Sequence, residues 1–402
     1  MKSHYKKIGD YVRQVNNRNT DLAITNLKGI NIDKEFMPSV ANVNGTDLSK
    51  YKIVEKGQFA FNPMHVGRDE VLPISLWHND EAIIVSPAYV VFEVIDSSLL
   101  DPEYLMIWCK RTEFDRNCWF TTDSSVRGGF SWEDFCTLEI PNISIVEQER
   151  LVNEYNSINK RIELSNELLD KIEDKAQTIF KQWFIDFEFP ISETYAKSIN
   201  DIQIVKMPYK TSGGDIEIDP NSGLEIPKGW QILSFEDALN FQTGKLNSNA
   251  AIENGKYPFF TCSSETYKTD TYSFDIEAVL LAGNNASAIY PLKYYSGKFD
   301  AYQRTYVVTS ANKNISIPQI YFAIKYELNG FKGTSSGTAT KFLTMKILND
   351  LSIVCPNDEE AIRFNNLVKP LFVYMLNIQK SLLALLTVKK LLLQKMSLVE
   401  NE

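Results

Sequence analysis

The tetrapeptide Asn62-Pro63-Met64-His65 is where this 402-residue sequence comes nearest to a methyl-transfer motif. The Asn-Pro-Pro-aromatic pattern of amino-methyltransferases uses its ring to stack on a base. Here the second proline and the ring are both missing, so the motif is rejected. Histidine could act as a general base or metal ligand, but His4, His65 and His78 form no H-E-x-x-H pattern. The five cysteines, Cys109, Cys118, Cys136, Cys262 and Cys355, are odd in number and contain no C-x-x-C pair. Neither a zinc site nor a disulfide framework is indicated. "LAGNNA" at 281–286 lacks the spacing of a nucleotide-binding glycine loop, and no G-x-S-x-G elbow occurs. No carboxylate spacing singles out a metal-binding nuclease pair. The sequence therefore assigns no catalytic residue, no metal ligand and no cofactor to this chain.

Residues without chemistry of their own still have to be positioned, and the totals bound how. Hydrophobic residues make up 44% and charged residues 23%, as in folded proteins. The length predicts two or three domains. No apolar run approaches the roughly 18 residues that span a bilayer, and "MKSHYKKIGDYV" has no apolar signal-peptide segment. The expectation is a cytoplasmic protein with reduced thiols. A formal charge of −9 opposes a polyanionic partner, because phosphate binding is driven by Lys and Arg. Such a partner would require a concentrated basic face or a basic protein alongside.

The main positioning device is a long helix that occurs twice. Leu151, Tyr155, Ile158, Ile162, Ser165, Leu169, Ile172, Ala176, Ile179 and Trp183 follow alternating steps of four and three, the a/d seam of a coiled coil. Leu367, Leu371, Tyr374, Ile378, Ser381, Leu385, Val388, Leu392 and Lys395 repeat those steps, with a serine at the same place. "SIVE" (Ser144–Glu147) and "NDEE" (Asn357–Glu360) supply cap-like starts, and "LEIP" before the first helix matches "IVCP" before the second. The chain reads as an internal duplication, with Pro370 able to kink or delay the second helix. Two helices of about 40 residues would each run about 60 Å. They could pair antiparallel within the chain or form separate homodimeric coiled coils. The second helix is more apolar, which fits either a second partner surface or deeper burial.

The expected fold class is α+β: two mixed domains, each followed by a long helix, with the helices forming an antiparallel coiled coil. The expected limits are 1–145, helix 146–189, a turn-rich linker 190–228 needing no fold of its own, 229–356, and helix 357–402. "YKIVEKGQFAFNP", "EAIIVSPAYVVFEVI", "AVLLAG", "ASAIY" and "RTYVVT" predict strands. "DPEYLMIWCKRTEFDRNCW", "FEDALNF" and "PQIYFAIKYEL" predict helices.

That order of elements resembles the specificity subunit of type I restriction–modification systems. "IFKQWFIDFEFP", "PYKTSGG" and "IPKGW" are similar to segments that recur in the family. "GQFAFNPMHVGRDE" with "VSPAYVVFEV", and "FDIEAVLLAG" with "KFDAYQRTYVV", resemble two types of target recognition domain. The resemblance covers the whole chain. It implies double-stranded DNA as partner, each domain reading one part of a gapped target and the helices setting the gap. It also implies two modification subunits using S-adenosylmethionine, and restriction subunits using ATP and Mg.

Base readout calls for Arg, Asn, Gln or similar side chains on loops or helix ends. On that basis the DNA-contact candidates are Asn62, His65 and Arg68 in "NPMHVGRDE", and Arg127 in "DSSVRGG". In the second half they are Lys245 in "QTGK", Asn284 and Asn285 in "AGNNAS", Tyr302 and Arg304 in "AYQRT", and Lys341 in "SGTATK". The alternative for each is an ordinary turn, or an arginine paired with an acid such as Asp69. Two other classes stay open: a non-catalytic coiled-coil scaffold whose halves bind protein, and an enzyme whose site the motifs hide.

Overall fold

A computed structural model describes residues 4–39, 45–64, 66–122, 129–220, 222–284, 290–334 and 342–396. His65, Arg127, Asn285, Lys341 and most of "ASAIY" lie outside the described residues. The chain divides into two compact units, Met1–Leu164 with Leu382–Glu402, and Ser165–Ser381. The division therefore passes through both long helices.

In the first unit, strand Tyr5–Lys7 pairs antiparallel with Glu139–Pro141, which leads directly into helix Ile145–Phe184. Between them an antiparallel sheet has the order Val12–Val15, Val90–Val94, Gln58–Phe61, Ile74–Leu76. Its core is aromatic: Phe59 stacks on Phe92 at 4.8 Å, and Phe135 lies 4.9 Å from Phe92 and 5.3 Å from Phe61. The helix expected from Asp101 onward is two helices, Pro102–Cys109 and Thr112–Thr121. Asp101 caps the first, with Pro102 in its opening turn. Arg111 is extended (φ −80°, ψ 143°) and breaks the run.

The second unit repeats the frame. Strand Gln231–Ser234 pairs antiparallel with Ser352–Cys355, which leads into helix Asp358–Lys395. The framed sheet differs. Six strands run in the order Leu239–Thr243, Thr305–Ser310, Phe274–Ala282, Leu292–Ala301, Tyr257–Phe260, Thr266–Thr269, with one parallel pair, Tyr257–Phe260 on Leu292–Ala301. "FEDALNF" is only partly helical. Ser234 caps the single turn Phe235–Ala238, and Leu239 onward is strand, held by five residue pairs with Thr305–Ser310.

The first helix buries the stripe its spacing predicts. Leu151, Tyr155, Ile172, Ala176, Ile179 and Trp183 are buried, and Ile158, Ile162, Ser165 and Leu169 are half-buried. Ser144 accepts a hydrogen bond from the Glu147 amide at its start (3.3 Å). The second helix requires a correction. Ile378 and Leu392 are buried and Leu371 and Leu385 half-buried, but Leu367, Tyr374 and Val388 are about half exposed. The buried face carries Phe364, Val368, Phe372 and Met375 instead. The helix is apolar on two sides, so the four-three steps fit either one, and packing selects the row with the larger rings.

Asn357 caps the second helix by accepting the Glu360 amide (2.9 Å), and the helix runs on through Pro370, which is exposed. By length and composition Asp358–Lys395 would pass for a membrane span, with mean hydropathy 1.6 over an 18-residue window of which 17% is buried. This overturns the expectation that no segment is apolar enough. Both helix ends lie in protein cores. Leu392 and Met396 join Leu151, Val152 and Tyr155 in the first unit. In the second, Phe372 packs 4.7 Å from Tyr294 and 5.5 Å from Phe322.

The segment 190–228 is folded, contrary to expectation. Helix Glu193–Ser198 is capped by Ser192, and Ile216–Ile218 pairs antiparallel with Glu225–Pro227. Aromatic stacking holds it: Phe189 lies 4.6 Å from Tyr209 and 5.1 Å from Trp230. The same cluster receives the end of the first helix, with Phe184 4.8 Å from Phe364 and 5.8 Å from Trp230.

Candidate nucleic-acid interface

In the second unit two of the proposed loops, "QTGK" and "AGNNAS", converge on a third, the turn Tyr302–Thr305. Its backbone is the hub. Gly283 donates to the Arg304 carbonyl (2.8 Å), Gln303 to the Leu246 carbonyl (3.0 Å), and Gly244 to the Thr305 carbonyl (3.3 Å). Tyr302 donates to the Phe260 carbonyl (2.8 Å). Two glycines are required by this closeness. A Cβ on Gly244 would lie 1.8 Å from the Ala301 carbonyl oxygen, and one on Gly283 would lie 2.6 Å from that of Arg304.

Lys245, Asn284, Tyr302 and Arg304 are thus brought together. Lys245 and Arg304 are exposed and have no side-chain partner among the described residues. Asn284 is half-buried, and its Oδ1 has no partner among those residues. Nearby, Lys293 donates to the Ser263 carbonyl (3.1 Å), the Glu265 carbonyl (2.5 Å) and Thr266 Oγ1 (3.2 Å). Burial pulls its pKa down to about 8. Uncommitted cations on a glycine-tightened turn can meet phosphate oxygens or guanine edges without first breaking another bond.

The first unit arranges its candidates differently. Asn62 Oδ1 accepts from the Met64 amide (3.0 Å), an Asx turn. Arg68 makes two bonds to Asp69 (2.7 and 2.9 Å), the ordinary pairing that was the alternative for it. This loop is held from below by Asp115, whose Oδ1 accepts from the Leu72 amide (3.1 Å) and from Lys34 Nζ (2.7 Å). Burial raises the Asp115 pKa, against the pull of Lys34.

Trp119 Nε1 donates to the Gly67 carbonyl (3.3 Å), fixing helix Thr112–Thr121 beside the loop. That helix presents exposed Arg116, Asn117, Trp119 and Phe120, which sequence reasoning missed. An exposed Trp-Phe pair in a segment read as one continuous helix was the available signal.

Residues 227–363 match the family model described as type I restriction modification DNA specificity domain. Over 136 residues the chain is 33% identical to the type I restriction enzyme EcoDI specificity subunit of Escherichia coli, spanning 34% of this chain and 30% of that protein. Over 286 residues it is 27% identical to the MjaIX specificity subunit of Methanocaldococcus jannaschii, spanning 64% and 60% respectively.

The matches thus reach from about a third to three-fifths of these relatives' length. The fold of the whole chain is similar to the type I restriction–modification S subunit of M. genitalium, with a TM-score of 0.59 at 15% identity over 98% of this chain and 95% of that one. The Gly244, Gly283 and Tyr302–Thr305 cluster lies inside the specificity-domain match.

Proposed function

We propose that the chain is the DNA-recognition subunit of a type I restriction–modification complex, non-catalytic in itself and working in the cytoplasm. The observation that carries this reading is the specificity-domain match over the residues whose glycine-tightened turn presents Lys245 and Arg304 without a side-chain partner among the described residues. Each unit would read one part of a gapped target, and the helices shared by the units would set the gap. Two modification subunits would bring S-adenosylmethionine, and restriction subunits ATP and Mg.

The exposed apolar row Leu383, Leu386, Val388 and Leu391 on the second helix gives such protein partners an apolar surface. The net charge of −9 means that the chain alone binds DNA weakly and that the modification subunits contribute much of the phosphate contact. Nanomolar binding by the purified chain in physiological salt would contradict that division.

The test maps N6-methyladenine genome-wide in a methylation-free host expressing the cognate modification subunit, with and without this chain. Methylation at a two-part gapped motif only when the chain is present is the expected result. Exchanging residues 1–145 should then change one part of the motif alone. No new methylation from soluble, associated subunits would overturn the reading.

A further inference from the structure

In the first unit a half-open cavity of about 570 Å³ lies between helix Thr112–Thr121 and the strand Glu139–Pro141. Arg111 lines it. That side chain is 3% exposed, its guanidinium lies 3.9 Å from the centre of the Trp108 ring, and its only ion pair among the described residues is a 3.4 Å contact to Glu113, itself 48% exposed. Its Nε is buried with no hydrogen-bond partner among those residues.

Burying a guanidinium is costly unless its donors are met. A long contact to a solvated carboxylate meets them poorly. The cavity's other carboxylate, Glu139, is also exposed, so both acids stand where water screens them, whereas the cation stands where it does not. The remaining walls include the Phe114 and Phe120 rings, and Phe120 is 84% exposed. A ring held in water beside a buried, under-partnered cation is a costly arrangement for an empty groove. The volume lies in the range of small-molecule sites.

We propose that this cavity binds an organic oxyanion, its charged oxygens on Arg111 and its planar body against the Phe114 and Phe120 rings. This goes beyond the DNA-recognition reading and does not depend on it.

The test is isothermal titration of the full chain with benzoate and with dAMP, each a planar body bearing an oxyanion, against inorganic phosphate and the cation spermidine. Saturable binding of at least one planar anion is expected, with phosphate at least about tenfold weaker, a difference of about 1.4 kcal/mol. Arg111→Gln should lower that affinity by about tenfold or more. Phe120→Ala should lower it several-fold, and because Phe120 is exposed this variant keeps its fold, which thermal melting checks. If Arg111→Gln fails to fold, the Phe120→Ala result decides.

Binding of neither planar anion, equal binding of inorganic phosphate, preference for spermidine, or affinity unchanged in folded variants would each overturn the proposal. None of these outcomes bears on methylation at a gapped motif, so the two readings fail separately.

Discussion

At the scale of single residues, the second unit's interface rests on what cannot be larger than glycine. Gly244→Ala would push a methyl group into the Ala301 carbonyl. A loss of about 1–3 kcal/mol is expected from the forced backbone shift, read as a lower urea midpoint with an unchanged slope. The uncommitted cations have separable effects. In the assembled complex Arg304→Ala should cost about 1–3 kcal/mol and relax one position of the target if it reads a base. Lys245→Ala should weaken all sequences alike and reduce the salt slope by about 1 if it meets a phosphate. These outcomes are scored by binding across a salt series on single-base variants of the target.

Lys293 is expected to titrate near pH 8, so its acylation by a lysine reagent should rise through half-maximum there and not two units higher. The sign of the stability effect follows. A lysine whose pKa is lowered on folding penalises the folded state while both states are protonated. That penalty is present below about pH 8 and is relieved as the pH climbs toward the ordinary lysine value.

At the scale of elements, the two long helices show what spacing can and cannot convey. In the first, the apolar neighbours Val152, Phe180 and Phe184 are themselves buried and widen the stripe, so the row from Leu151 to Trp183 read from the spacing faces inward. In the second, Leu367 neighbours Val368, Tyr374 neighbours Met375, and Val388 neighbours Lys389. The first two pairs offer adjacent rows of similar apolarity, and at the third the spacing favours the outward valine. Contacts with Tyr294, Tyr321 and Phe322 on other elements settle the choice for the Phe372 row, and a pattern of spacings contains none of them.

Position 389 is the sharpest case. A lysine takes a place on the inward row because its ammonium lies 5.1 Å over the Tyr155 ring, a cation–π contact that binary patterning scores as polar and outward. Phe372→Ala should accordingly cost about 3–5 kcal/mol. Leu367→Ala, at a half-exposed position, should stay within about 0.5 kcal/mol. Chemical denaturation of the two variants distinguishes the observed row from the one that spacing suggested.

The candidate site was less legible for a related reason. Its hub consists of backbone hydrogen bonds between residues such as Gly283 and Arg304, and backbone donors are the same for every residue type but proline. The glycines and the cations were visible in the sequence, but not that they meet. The turn-like composition of 190–228 misled in the same way. Its glycines and prolines mark real turns, yet the aromatic residues Tyr209 and Trp230, spaced far apart, order the whole segment.

At the scale of the whole molecule, the first unit is assembled from two separate stretches of the chain, Met1–Leu164 and Leu382–Glu402. Leu392 and Met396 share one core with Leu151, Val152 and Tyr155. A fragment ending at Leu164 should therefore expose an apolar helix face and bind a hydrophobic dye. Adding a peptide of residues 382–402 should displace the dye and raise the melting temperature. A fragment that melts identically with and without the peptide would show the shared core to contribute little.

The same closure by Leu392 and Met396 has a consequence during synthesis. Translation delivers the first 164 residues early, but the side chains of Leu392 and Met396 that complete their core emerge only after Ser165–Ser381 has been made. Throughout synthesis of Ser165–Ser381 the nascent first unit must wait without the cover that Leu392 and Met396 give its core. A premature stop late in the message, after the whole second unit has been made, would thus cripple the unit that was translated first.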